Sequence, residues 1–547
     1  MAIIRISELP PATSPVAPSD VLPLLQNGVT KKAQINQLGY TAPGTNAVTR
    51  TISNKLGEFL SITDFGAVGD NSTDNFAPFQ AAIKAAGDTG IKRIYVPAGT
   101  YILQLTGGIG VQDSNNNPIN GFEIFGDGDA SVLKVGLNSG RDFQAILGFP
   151  YTDGAYIHDL CFDFNAARSP LRPTPQTRFH NPAIMTGAGG KNFRVENCSF
   201  INCNVDQPIR AASFTTPTPQ NQYMSGFVVS NCRFDKFGDG LAGNNQEDIS
   251  CIYIVGNDVQ ISNCYWDSGL TTISGSKGNT AIECYGNRYN IFGNIIKNVL
   301  TAHIVGNEQG VKYTDNVLIH GNNYFNVNCI VQSIARSYVT GSIEFLNNYV
   351  RCDANVIMGN PGFLDSNFLG GGQPAVMDRL TIKNNVFDYE GCGAANSSAY
   401  SHLVMSTATK VVEFSGNTVE WQPTGIFYNE FTPPINQNLI FTKNVMRNIR
   451  TGATQAGRSS TAFFIEVACT PNAVIFTENH VENYLPKANR TGTNYVGPLV
   501  AILFSATGLN LFVANNVVLG ANIAVSPFHS AFTSQVTSGN LNGTQTD

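Results

Sequence analysis

The sequence predicts an all-β solenoid, a parallel β-helix of about eleven or twelve stacked coils. Three observations carry that prediction. Glycine (53 residues) and asparagine (about one residue in nine) are abundant, and both favour turns over helices. A six-residue pattern recurs along the chain: apolar, any, polar or small, Asn or Cys, any, apolar. Its copies lie roughly 26 to 38 residues apart, inside the range of solenoid repeats.

The first clear copy is Val195-Glu196-Asn197-Cys198-Ser199-Phe200. Cys232 and Cys264 hold the same fourth place in the next two. Asn then takes it at 294, 322, 348, 385, 417, 444, 479 and 516. Residues 157–162 form an imperfect earlier copy. Side chains alternate along a strand, so two apolar ends an odd number of steps apart cannot both face inward unless the middle bends. Asn or Gly supplies such a bend. Stacked coils then align Asn over Asn in amide ladders, and Cys over Cys as small buried hydrophobes. Trp266 falls at a repeat position and reads as core.

Composition narrows the function classes. Hydrophobic residues make up 42% of the chain, which excludes disorder. Charged residues make up only 13%, half the usual share of about 25%. The net charge of −6 includes no basic stripe, so no nucleic-acid partner is expected. The 11 cysteines are odd in number and form no CxxC pair, which points to reduced thiols and folding in the cytosol. The N-terminus shows no apolar signal-peptide run, and no segment is long and apolar enough for membrane insertion. No dense acidic cluster suggests calcium, and neither a metal nor another cofactor is expected.

Residues 60–105 carry a second signal. Ser61-Ile62-Thr63-Asp64-Phe65-Gly66-Ala67-Val68-Gly69-Asp70 precedes a helix-period run with Phe76, Phe79 and Ile83 on one face. Ser72, Thr73 or Asp74 can cap that helix, and Gly87 can end it. Ile94-Tyr95-Val96 then reads as a strand leading into Pro97-Ala98-Gly99. This resembles the entry to pectate-lyase-like right-handed β-helices, where a short helix covers the open core. The segment 50–58 running into 61–67 resembles bacteriophage tailspikes and tail-fibre depolymerases. So does the extreme N-terminus, Ile6-Ser7-Glu8-Leu9-Pro10 with Asp20-Val21-Leu22-Pro23-Leu24. There the runs 21–25 and 29–35 flank Asn27-Gly28, a hairpin turn.

The resemblance implies three regions. Residues 1–58 form a small module that attaches to the phage tail or an adaptor protein. Residues 59–520 form the β-helix, and residues 521–547 a short tail or trimer-closing segment. It further implies a homotrimer, a place in the virion after synthesis in the host cytoplasm, and binding and cleavage of bacterial surface polysaccharide.

Glycoside hydrolysis uses two carboxyl groups about 5–5.5 Å apart for retention or 6.5–9.5 Å apart for inversion. Adjacent coils lie about 4.8 Å apart, so carboxylates one or two coils apart meet these needs. Aligning strands upstream of the Asn bend sets Ile252-Tyr253-Ile254 beside Ile282-Glu283-Cys284. Ile282 and Cys284 then point inward and Glu283 outward, next to Tyr253. Glu247, Asp248 and Asp239 lie upstream, and His303 and Glu308 on the following coil. Glu283 is the leading candidate for a catalytic carboxyl, with Asp248 or Glu308 as its partner. Glu247, Asp239 and His303 complete the catalytic candidates. Tyr253, Tyr285, Lys312, Arg336 and Arg210 are candidates for holding substrate.

Two Pro-rich insertions, 165–182 and 206–223, and a Gly-rich one, 359–372, read as groove walls or as subunit contacts. None of the Asn-Thr-Asp, Asp-Asp, Gly-His-Gly and Arg-Ile-Lys motifs of polygalacturonases occurs, so that activity is disfavoured. Three readings stay open: a hydrolase, a lyase using Lys312, Tyr253, Arg336 or His303, and a non-catalytic receptor-binding or structural tail protein.

Overall fold

The computed structural model describes residues 20–34, 38–139, 145–167, 181–187, 189–203, 207–212, 223–237, 250–270, 272–273, 280–307, 313–335, 339–352, 357–358, 362–365, 377–389, 402–405, 409–420, 425–429, 437–447, 462–467, 471–482, 499–504, 508–519, 532–539 and 541–543.

The chain winds through three stacks of parallel strands. The first sheet starts at Leu60–Ser61, Arg93–Val96 and Phe122–Gly126 and ends at Phe532–Ser538. The second holds the short strands that follow the Asn bend and has sixteen members, from Asp70–Asp74 to Leu541–Gly543. The third runs from Leu147–Phe149 to Leu499–Phe504. Strand Ser250–Ser262, 13 residues long, passes through the third sheet and into the first without a loop. One apolar core extends from Ile62 to Val513.

The repeat accounts for twelve of the sixteen second-sheet strands. Three more precede it, at Asp70–Asp74, Gly99–Leu103 and Ser131–Val135, and Leu541–Gly543 follows it. The three leading coils lack the Asn or Cys signature, and in the last one polar Thr537 and Asn542 replace the apolar flanks around Gly539-Asn540, so the repeat alone undercounts them. The last one extends the stack into the segment 521–547.

The bend divides its work between two residues. The third position of each copy adopts the left-handed conformation: Asn197, Asn231, Asn263, Asn347, Asn384 and Asn515 have φ between 52° and 57°. Glycine serves at Gly293, Gly321 and Gly416. Lys443 (φ 57°) and Glu478 (φ 58°) hold the same conformation without either residue's advantage. The fourth position turns inward. From Asn294 to Asn479, each side-chain amide donates to the Oδ1 of the next coil's Asn at 2.9–3.2 Å, and the backbone N–H donates to the same oxygen. The second amide hydrogen reaches a carbonyl of the preceding coil, as from Asn385 to Phe345 at 2.9 Å. Every polar atom of the ladder therefore has a partner inside the core. The thiols of Cys198, Cys232 and Cys264 form the same column and point at equivalent carbonyls. All nine described cysteines are free thiols.

Aromatic rings stack in the core beside the ladder. Phe162, Phe200, Phe234 and Trp266 lie nearly parallel, with centroids 4.9–5.2 Å apart. Trp266 is fully buried, as its repeat position predicts.

The helix Phe76–Thr89 buries Phe79, Ala82, Ile83 and Ala86 against the first strands of the stack. Its ends differ from the expected ones. Asn75 occupies the N-cap without a side-chain cap bond, while Asp74 accepts from the Phe76 N–H at 3.0 Å. The helix continues past Gly87 and ends at Gly90, which is left-handed at φ 75°. Gly87 serves close packing instead: a Cβ there would lie 2.7 Å from that of Asp113. At the N-terminus, strands Val21–Gln26 and Val29–Gln34 pair antiparallel across Asn27-Gly28, both residues at positive φ.

Two stability outcomes follow. Asn385→Ala strands the N–H and amide of Asn348 and the carbonyl of Phe345, so denaturant unfolding should show a loss of about 2–4 kcal/mol. Glu478→Gly relieves a left-handed non-glycine residue whose conformation costs roughly 1–2 kcal/mol; chemical denaturation should show a gain of about 0.5–1 kcal/mol.

Candidate functional site

The register predicted around Glu283 is the one observed. Tyr253 pairs with Glu283, flanked by Ile252 with Ile282 and by Ile254 with Cys284. Ile282 and Cys284 are fully buried in the core. Burial pushes the Cys284 thiol up, with the Glu283 charge adding to it.

Glu283 lies on the outer face of the third sheet, yet only 7% of it is exposed. Tyr253, Val255, Tyr285 and Ala212 form a second apolar cluster outside the sheet, with Tyr223 packed on it. The Tyr285 hydroxyl donates to Glu283 Oε1 and the Ser250 hydroxyl to Oε2. Both carboxyl oxygens are thus oriented by hydroxyl donors, one on its own strand and one on the adjacent coil. The Tyr253 and Tyr285 rings lie 5.6 Å apart at 55°.

Arg210 belongs to this column. The sequence places it inside a Pro-rich insertion, but it sits in strand Ile209–Ala211, paired with Tyr253. Its guanidinium carbon lies 4.8 Å from the Tyr253 ring centroid, and Nη1 donates to Gln207 at 3.0 Å. A strand of three residues between Pro-rich stretches has too short an alternation to be read from sequence. Gln207 and Ser250 were also missed, because a lone Gln or Ser gives no signal without its register.

The corner beside the site needs glycine. Gly286, at φ +133°, faces Gly256 one coil below; a Cβ there would sit 1.9 Å from the Gly256 carbonyl oxygen. This close approach lets the chain leave Tyr285 and enter strand Asn287–Phe292 without a loop.

His303 is not on this face. It pairs with Ile282, while Ile304 is the partner of Glu283. Its side chain is fully buried in the core, with Nε2 2.8 Å from the Tyr324 hydroxyl. Alternation along the strand puts it on the opposite side of the sheet from Glu283. Asp239, Glu247, Asp248, Glu308, Lys312 and Arg336 lie outside the described residues, as do most of the three insertions. Among the described residues, no group of three or more His, Cys, Asp or Glu could hold a metal ion, and no helix is long and apolar enough to cross a membrane.

Comparison with known proteins bears on this geometry. Residues 59–288 match the family model described as rhamnogalacturonase A/epimerase, pectate lyase-like. The fold is a pectate-lyase-like parallel β-helix. No curated protein matches the sequence. Solved structures with this fold include the tailspike protein of E. coli bacteriophage HK620 in complex with a pentasaccharide. It is 15% identical, with a TM-score of 0.56, over 92% of this chain and 82% of that one. A mutant of the same tailspike, also with pentasaccharide, gives 14% identity and a TM-score of 0.59 over the same shares.

Burial holds His303 neutral by lowering its pKa to about 3, against 6.5 when free. The unfolded chain takes up a proton below pH 6.5 and the folded chain does not, so this residue favours unfolding as pH falls from 6.5 towards 3. Between pH 7 and 5 the wild type should lose about 2 kcal/mol more stability than His303→Leu. Parallel denaturation curves at the two pH values check this.

Proposed function

We propose that this chain is a bacteriophage tailspike that binds a bacterial surface polysaccharide and cleaves it by glycoside hydrolysis, with Glu283 as one catalytic carboxyl. The observation that carries the reading is Glu283 itself. It is an outward carboxyl, nearly covered, with both oxygens held by hydroxyl donors. The setting supports the saccharide assignment: the same fold, over 92% of this chain, serves a tailspike solved with a pentasaccharide.

Each residue then has a role. Ser250 and Tyr285 orient the Glu283 carboxyl, and Gly286 with Gly256 keeps Tyr285 in place. Tyr253 and Arg210 line the approach to it and hold sugar hydroxyl or acidic groups. Asp248 or Glu308 supplies the second carboxyl, and its separation from Glu283 selects retention or inversion. Glu247 and Asp239 are further candidates for the acid pair, and Lys312 and Arg336 for holding substrate. Residues 1–58 attach the spike to the phage tail or its adaptor, and three copies of the chain assemble together. The free, buried thiols suit synthesis in a reducing host cytoplasm.

The Arg210–Tyr253 pair favours a second reading, a polysaccharide lyase. There Arg210 would neutralise a uronate carboxylate while Tyr253, as phenolate, takes the proton from the adjacent carbon. A C=C bond forms as the glycosidic C–O bond breaks, and the leaving oxygen receives that proton from Tyr253.

Host polysaccharide incubated with the full-length protein should release reducing ends. Glu283→Gln should lower that rate by about 100-fold or more while glycan binding persists. Full activity in Glu283→Gln removes the residue from the mechanism. Products with ultraviolet-absorbing unsaturated ends select the lyase. Binding with no products from any host glycan leaves a receptor-binding protein without catalysis.

A further inference from the structure

We infer that the outer face of the second sheet carries a separate binding site for a uronic-acid-type sugar, built on Lys297 and Phe325. Four consecutive strands contribute: Tyr265–Asp267, Ile295–Lys297, Asn323–Phe325 and Tyr349–Arg351. Their last residues align in register as Asp267, Lys297, Phe325 and Arg351. These residues line a surface hollow of about 460 Å³ together with Asn298 and Asn326, a size suited to a small ligand.

The chemistry is specific. Lys297 Nζ stands 5.2 Å from the Tyr265 ring centroid and 5.4 Å from that of Phe325. Asp267 precedes Lys297 in register but is engaged elsewhere. It accepts from Asn298 Nδ2 at 2.9 Å, from the Gly269 N–H at 2.9 Å and from the Tyr265 hydroxyl at 3.1 Å. Among the described residues, Lys297 has no ion pair. An ammonium beside two aromatic faces and without a carboxylate partner suits an incoming anion. Phe325, with Tyr349 6.2 Å away, offers a flat apolar face for a pyranose ring. The amides of Asn298 and Asn326, joined at 3.0 Å, edge the hollow with hydroxyl-binding groups.

Charge limits the ligand. Asp235 precedes Asp267 in register, and Asp388 follows Arg351. The cationic segment is therefore short and closed by acids at both ends. A dense polyanion such as nucleic acid would meet repulsion on either side. One carboxylate per sugar unit does not. This hollow lies on the second sheet, whereas Glu283 lies on the third. The inference rests on the polysaccharide reading for its sugar ring alone, and its test reads binding.

The experiment is calorimetric titration of the full chain in a Glu283→Gln background, so that intact sugar is measured. The probes are galacturonate and glucuronate trisaccharides, neutral galactotriose and inorganic phosphate. Saturable binding of a uronate trisaccharide, at least about tenfold tighter than galactotriose, is expected. Lys297→Met keeps the stem and removes the charge, and should weaken that binding about tenfold or more. Phe325→Ala should do the same. Equal affinity for the neutral sugar, no effect of Lys297→Met, phosphate binding as tight as the trisaccharide, or no saturable binding of either uronate overturns the inference. Cleavage failing while this binding persists sinks the hydrolase reading alone.

Discussion

Each coil of the solenoid must turn a corner inside a packed apolar core, and the peptide groups bared by that turn have no water to bond. The Asn ladder meets this constraint. One residue takes the left-handed conformation and reverses the inward–outward alternation. The next sends an amide into the core, where it bonds the coil before and the coil after. A charged side chain could not stand there without a partner. An apolar one would leave backbone N–H groups orphaned. The ladder thus explains why so much asparagine accompanies so little charge. The cysteine column does the same work with weaker donors, over the three coils from Cys198 to Cys264.

Fixing the corner fixes the register, and the register makes the outer surface. Once Ile282 and Cys284 face the core, Glu283 must face out beside Tyr253. The same logic separates His303 from Glu283: they are on adjacent coils and on opposite sides of one sheet. It also lines up Asp267, Lys297, Phe325 and Arg351 on another face. Parallel stacking at about 4.8 Å turns residues some 30 apart in sequence into neighbours. A rigid core of this kind sets the outer side chains in rows, one row per coil, at a constant spacing.

The fold was legible because its signals are local and repeated. A six-residue motif recurring in fixed relation to apolar flanks needs no long-range information, and the entry segment around Ser61 to Gly66 is a short motif of the same kind. The pairing of Tyr253 with Glu283 was also legible, since it follows from aligning two copies of one repeat. Coils without the full motif escape the repeat, and Gly87 reads as a helix end because glycine signals a stop as readily as a close contact. The strand holding Arg210 was hidden between prolines, and its place beside Tyr253 depends on pairing across coils.

By itself, then, the sequence determined the solenoid, the inward and outward faces of its central strands, and the outward position of Glu283 beside Tyr253. Those properties depend on periodicity, which any single chain displays. The tertiary structure alone decided that Ser250 and Tyr285 grip that carboxyl, that Arg210 covers Tyr253, that His303 is sealed in the core, and that Lys297 stands over two rings. These depend on distances between side chains in different coils, set by packing and register rather than by any spacing along the chain.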